Sequence, residues 1–291
     1  MRSFSGENRP EMRDSTDINM AVKGILAQDP VWAAYAIADL RPDLAPFCRW
    51  TVAPDASGLA LLFTGLEPPI LLTAGSSEGV AAALNDAALP KEIFLSVRES
   101  HIPAVQQHYA RVERHEMLRM ALAPGQQVPE PTVPTVTLST ADELRLQSLY
   151  QHGGEFAPDA FITSQLHDGF FFGIEDRRGH LAAAGGTHIA YRRKNATSPG
   201  LQKSHRQKSD SIDCILAQGV AAIGNIYSRP DCRGRGFGTA VTARITQALQ
   251  ADGYNFIVLN VSKQNLVAQS IYEKLGFARH CLFVEGVAKR G

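Results

Sequence analysis

The sequence predicts a mixed α/β (α+β) fold in two domains, and three observations carry that reading. Apolar runs of strand length alternate with stretches of helical periodicity, a proline-rich stretch interrupts them before the middle, and in the second part a strand runs into a glycine-rich turn and an amphipathic helix. With 291 residues, 44% of them hydrophobic, the chain is long enough to bury two cores.

Residues 1–18 are polar and charged with almost no apolar pattern, so a disordered lead is expected there, and nothing in it resembles a signal core. Asp29-Pro30 then offers a helix start, with Val31, Ala34, Tyr35 and Ala38 at helical spacing and an end near Arg41-Pro42. Apolar runs at 59–63, 70–73 and 93–97 and an alanine-rich helix at 78–85 make residues 19–123 an α+β domain. The text APGQQVPEPTVPT follows, with four prolines and no periodicity, so 124–135 is expected to be an extended linker. The second domain, 136–291, opens with a short strand and the capping pair Ser139 and Asp142 before a helix; residues 170–188 read as a β-hairpin about an Asp-Arg-Arg-Gly turn. Residues 192–208 hold six basic and no acidic side chains and read as a loop, either a solvated insertion or a patch for an anionic ligand.

The 29 Lys and Arg balance 29 Asp and Glu, so no global field draws nucleic acid or an anionic membrane, and neither is expected as a partner. No run approaches the roughly 20 apolar residues that span a bilayer, and a cytoplasmic protein is expected. The four cysteines are widely spaced without histidines at ligand spacing, which predicts neither disulfides nor a metal site. His101, His108 and His115 recur every seventh residue, not at the i, i+4 spacing of a helical metal site.

The chemistry is concentrated after residue 220. A strand at 220–228 is stopped by Arg229-Pro230-Asp231; then comes Arg233-Gly234-Arg235-Gly236-Phe237-Gly238 and a helix whose apolar face holds Val241, Ile245, Ala248 and Leu249. A strand, a glycine-rich turn and a helix N-terminus make an anion site, because unpaired N–H groups and the helix dipole converge there. The glycines are spaced G-x-G-x-G, which fits neither the dinucleotide fingerprint nor a P-loop. The spacing R-x-x-G-x-G is met by Arg233, Gly236 and Gly238. Downstream, a strand at 256–261 precedes Asn265-x-x-Ala268-x-x-x-Tyr272-x-x-x-Gly276.

On these two motifs the second domain resembles the GNAT N-acetyltransferase superfamily. The resemblance covers roughly residues 136–284, and the first domain could be a degenerate copy of the same fold, as in two-domain members. It implies a mixed, splayed sheet flanked by helices, with acetyl-CoA or coenzyme A entering between the domain's fourth and fifth strands. The turn Arg233, Gly234, Arg235, Gly236, Phe237, Gly238 and Thr239 would hold the pyrophosphate. The backbone of Ile226, Tyr227 and Ser228 would bind pantetheine, Asn265 and Ala268 would flank it, and Tyr272 would face the thioester sulfur. The activity implied is acyl transfer from coenzyme A to an amine, the acceptor most simply a small molecule; a protein amine, or a non-catalytic acyl-CoA-binding module, are the alternatives.

Such a transfer needs a proton removed from the ammonium, a polarised carbonyl and a proton for the leaving thiolate. Tyr272 is the candidate acid. Strand 220–228 contains no carboxylate, where many relatives carry one, so Asn225 is the candidate for holding a relaying water, with Glu155 and His188 as further candidates on the substrate side. The first domain is expected to wall the acceptor pocket or to support a homo-oligomer.

Overall fold

The structure is a computed structural model and describes residues 15–154, 158, 164–193 and 211–291. Helix α1 spans Ser15–Gln28 and α2 Ala34–Ala38. There follow β1 (Cys48–Val52), β2 (Gly58–Phe63), β3 (Ile70–Gly75), α3 (Ser77–Asp86), β4 (Glu92–Arg98), α4 (Ile102–Gln106), β5 (Arg111–Val112) and β6 (His115–Leu122). The second half holds β7 (Val136–Leu138), α5 (Glu143–Tyr150), α6 (Ser164–Asp168), β8 (Phe171–Glu175), β9 (Leu181–Tyr191), α7 (Ile212–Gln218), β10 (Val220–Ser228), α8 (Phe237–Ala251), β11 (Phe256–Ser262), α9 (Leu266–Lys274) and β12 (Phe277–Lys289).

Two expectations about the N-terminus change. Residues 15–18 belong to α1 rather than to a disordered lead, because Val22, Ile25 and Leu26 give that helix a buried face. The expected helix from Asp29 shrinks to α2: Asp29 does cap, its Oδ1 accepting from the Trp32 N–H at 3.0 Å, but the next residues form turns before Ala34. Of the basic segment, Arg192 and Arg193 pair with Asp252 and Asp213, and residues 194–208 lie outside the described residues.

The described strands form one mixed sheet in the order β1-β2-β3-β4-β12-β6-β11-β10-β9-β8-β7, with β5 on β12. Only β3 with β4 and β10 with β11 run parallel; each pair is joined through a helix, α3 or α8, as parallel neighbours require. Reading inward from either edge, each half is an antiparallel run ending in one such pair. The halves then trade their closing strands. β6, which ends the first half, pairs with β11 of the second, and β12, which ends the second, pairs with β4 of the first. β6 and β12 also pair with each other.

Residues on opposite faces of these strands alternate between cores. Ala221, Ile223, Ile257 and Leu259 face α8 and α9, while Val220, Ala222 and Val258 join Leu59, Leu61 and Leu72 of the first half under α1, α2 and α7. That second core is continuous across residues 124–135, which hold no regular element but lie against α8: Val128 is buried, and the Gln126 carbonyl accepts from Gln250 Nε2 at 2.7 Å.

Nicking the chain within 124–135 is therefore expected to leave one native particle. The two fragments should separate on a denaturing gel and co-elute in size exclusion, since the β6–β12 exchange survives the cut. Two separately folded particles would show that the shared sheet does not hold the halves together.

Candidate active site

β10 and β11 pair only over Val220–Ile223 with Phe256–Leu259, although β10 runs on to Ser228 and β11 to Ser262. The cause of the parting is local. Asn225 sits at φ +55, a conformation uncommon outside glycine, and the β10–β9 register shifts between Gly224 and Tyr227. An extra residue there bends the strand away from β11 and leaves the β11-facing edge of 224–228 without a strand partner. Two side chains brace the bend: Tyr150 Oη donates to the Asn225 carbonyl at 3.0 Å, and Arg233 Nε to the Ser228 carbonyl at 3.3 Å. Tyr227 is anchored beside Tyr150, edge-on at 6.1 Å, with its hydroxyl on the Gly153 carbonyl at 2.7 Å.

At the end of β10 the turn places Gly234 at φ +75 and Gly236 at φ +76, Gly236 being the N-cap of α8. The first intrahelical bond runs from the Ala240 N–H to the Gly236 carbonyl, so the N–H groups of Phe237, Gly238 and Thr239 have no helical partner. A Cβ built on Gly234 or Gly236 meets nothing within 4 Å, so the turn looks onto open space. No acid lies in the first turn of α8, and Arg233 and Arg235 immediately precede it. Three free N–H groups, a helix N-terminus and two guanidinium groups fit a diphosphate.

The corresponding turn of the first half, between β3 and α3, is filled instead. A Cβ on Gly79 would lie 2.3 Å from Ser57 Oγ, and one on Gly75 at 2.3 Å from the Ser57 carbonyl oxygen. The Ser76 hydroxyl takes the free Gly79 N–H at 3.0 Å, and Glu78 adds a negative charge in the first turn. Topologically alike, the two turns differ in whether an anion can reach them.

On α9, Asn265 is the N-cap, its Oδ1 accepting from the Ala268 N–H at 3.1 Å. Tyr272 lies in the α8–α9 core with Leu275, Ala268 and Ile271, edge-on to Phe277 at 6.4 Å. Burial pushes its phenol up to about 12. The group therefore stays protonated at any physiological pH and serves as a hydrogen-bond donor; full proton transfer to a thiolate of pKa ~8.5 is uphill by more than three units.

The bulge also gathers the polar residues of the opposite face. Asn225 Nδ2 donates to Gln165 Oε1 at 2.9 Å, His188 Nε2 lies 3.1 Å from Asn225 Oδ1, and His188 Nδ1 lies 3.1 Å from Tyr35 Oη. The sequence thus names Asn225 and His188, which meet, and Glu155, which lies outside the described residues. It places Tyr35 only among the apolar positions of a helix and does not name Tyr150 or Gln165; the contacts of all three depend on tertiary packing that no local pattern signals. Two shallow cavities, of about 380 and 170 Å³, lie along 122–135 and the flank of α8 and touch none of these residues.

Beside the parting, Asn260 Nδ2 donates to Glu285 Oε1 at 3.4 Å. Burial pushes the Glu285 carboxyl up to about 7, against the pull of Arg119 and His115. Between its unfolded value of ~4.3 and 7 the folded protein holds a proton that the unfolded chain lacks, so this group favours the fold as pH falls. His101 and His188, kept below the usual imidazole range by burial, work the other way below about 6.5. The clean expectation is a difference: wild type gains thermal midpoint relative to Glu285→Gln by a few degrees between pH 8 and 6. A difference independent of pH would show that Glu285 titrates normally.

Among the described residues no group of three His, Cys, Asp or Glu side chains is placed to hold a metal ion, and no helix is long and apolar enough to cross a membrane.

Comparison with known proteins bears on residues 139–277, which match the model of the acetyltransferase (GNAT) family. Members of that family use acetyl-CoA. No curated protein matches the chain. Among solved structures, a GCN5-related N-acetyltransferase from Kribbella flavida is 18% identical, with 89% of this chain and 96% of that chain covered at a TM-score of 0.56. A GNAT-family acetyltransferase from Colwellia psychrerythraea is 13% identical over 96% of this chain and 98% of that one, TM-score 0.52. A protein from Drosophila is 9% identical over 95% and 97%, TM-score 0.59. At these identities the likeness is one of fold, and it extends over nearly the whole of both chains. The splayed mixed sheet, the glycine turn and the family match agree: residues 139–277 of this chain are a domain of the acetyltransferase (GNAT) family.

Proposed function

We propose that the chain transfers an acetyl group from acetyl-CoA to the amine of a small molecule. The observation that carries this reading is the junction of β10 and α8, where an open strand edge leads into three free N–H groups just after two arginines. Acetyl-CoA supplies the activated acyl thioester. The turn 233–239 holds the diphosphate, and the β11-facing edge of Ile226, Tyr227 and Ser228 binds the amides of the arm, with Asn265 and Ala268 on its far side. A backbone N–H near the bulge polarises the carbonyl, and the Tyr272 hydroxyl donates a hydrogen bond where negative charge develops on sulfur. With no carboxylate on β10, the amine's proton leaves by water held at Asn225, whose amide keeps one N–H and one lone pair beyond its two contacts. Coenzyme A and a small amine are thus the proposed ligands, and no metal is invoked.

The test is thiol release from acetyl-CoA with a panel of small amines and lysine peptides. Saturable release that depends on a small amine is expected. Release with peptides alone would make the acceptor a protein, and tight acetyl-CoA binding without turnover would make the chain an acyl-CoA-binding module.

A further inference from the structure

The imidazole of His188 is enclosed on three sides. Along β10 it lies flat on Gly224, where an added Cβ would fall 2.1 Å from Nε2, so the glycine is what leaves room for the ring. On one edge Nε2 meets Asn225 Oδ1, and on the other Nδ1 meets Tyr35 Oη, both at 3.1 Å. Tyr35 comes from α2, in the first half of the chain, and is itself held: the Arg119 guanidinium lies 5.0 Å from its ring centroid. Arg119 is fixed in turn by donating to the Val31 and Trp32 carbonyls at 3.2 and 3.0 Å.

The direction of this chain follows from its chemistry. A neutral imidazole has one N–H and one lone pair. Asn225 Oδ1, which faces Nε2, can only accept a hydrogen, so the ring's lone pair is at Nδ1, where the Tyr35 hydroxyl donates. Nε2 must then carry the hydrogen and donates it to Asn225 Oδ1, which leaves Asn225 Nδ2 to donate to Gln165 Oε1. In this arrangement His188 turns an N–H, and not a lone pair, toward β10. It is a brace for Asn225 and not a base.

We propose that Tyr35 is a positioning residue of the acyl site: its hydroxyl holds His188 as the Nε2–H tautomer, and that N–H fixes the Asn225 carboxamide and with it the bulge that parts β10 from β11. The first half of the chain thereby forms part of the site that the second half carries. The functional consequence rests on the acyl-CoA reading given above; the tautomer does not.

Nitrogen-15 spectra of the full chain with labelled histidine read the tautomer directly. Wild type is expected to show His188 protonated at Nε2 alone. Tyr35→Phe keeps the ring on Arg119 and removes the hydroxyl. It should abolish the single-tautomer signature, displace the backbone amide peaks of Asn225 and Ile226, and weaken acetyl-CoA binding by about 3- to 10-fold, the worth of one hydrogen bond. Gly224→Ala pushes the same ring from the other side with the hydroxyl intact and should displace the same peaks, which decides the matter should Tyr35→Phe not fold. His188 protonated at Nδ1 in wild type, or Asn225 peaks and acetyl-CoA affinity unmoved in Tyr35→Phe, overturns the proposal. A wild type that binds no acetyl-CoA overturns the acyl-CoA reading instead, while the tautomer and the amide shifts still decide the role of Tyr35.

Discussion

Gly236→Val is expected to lower acetyl-CoA affinity by at least about 100-fold in a protein that remains folded. Gly236 is the left-handed N-cap of α8, and the space its side chain would enter is empty of protein. Nothing inside the fold therefore resists the substitution except the backbone, where a β-branched residue at φ +76 costs about 1–3 kcal/mol, which is tolerable for a chain of this size. The same open space is where diphosphate oxygens would have to approach the free N–H groups of 237–239. Gly236→Asn separates the two effects, since asparagine accepts the left-handed conformation but still fills the approach. Calorimetric titration with acetyl-CoA reads both. Affinity retained in folded Gly236→Val would remove the turn from the cofactor site, and affinity restored in the asparagine variant would assign the loss to strain alone.

The second large effect is at Tyr272. Phenylalanine keeps the edge-on packing against Phe277 and the place in the α8–α9 core, and removes only the hydroxyl, so stability and acetyl-CoA affinity should change little. Turnover with a good acceptor should fall by about 10- to 1,000-fold, within the usual range for loss of a group that acts on developing charge. Because the phenol is held near 12, the rate should show no alkaline limb from Tyr272 below about pH 10. A fall in kcat with KM unchanged supports the donor role; near-normal turnover would make the hydroxyl a packing feature.

What was legible in the sequence divides by range of interaction. The turn 233–238, the capping pair Ser139 and Asp142 and the hairpin expected at 170–188 all depend on residues a few positions apart, and the structure has the turn, the capping box and a hairpin at 171–191. The bulge at Asn225 was not legible, because a left-handed asparagine inside a strand carries no local mark; what stabilises it comes from Tyr150, His188 and Gln165. In the sequence Tyr35 is one apolar position of a helix, and its hydroxyl finds His188 only because the second core folds α2 over β9 and β10. Arg119 was hidden for a related reason. A charge inside an apolar strand looks like an exposed position, yet here it is fully buried among Trp32, Tyr35 and Phe283. The glycines carried the strongest functional signal, but composition alone could not separate the open turn at 234–238 from the filled one at 75–79; that difference lies in the Ser57 loop packed against the latter.

The traded closing strands also govern how the protein can be made. A chain leaves the ribosome N-terminus first, so β4 and β6 are completed while the strand that belongs between them, β12, has yet to be synthesised. The nascent first half must therefore wait with two open strand edges and part of its shared core uncovered, a state prone to pairing with other chains. Pairings as distant as β4 with β12 also slow the final step, because a long loop must close before they form. A ribosome-stalled chain ending before residue 277 should remain protease-sensitive throughout its first half and become resistant once β12 has emerged.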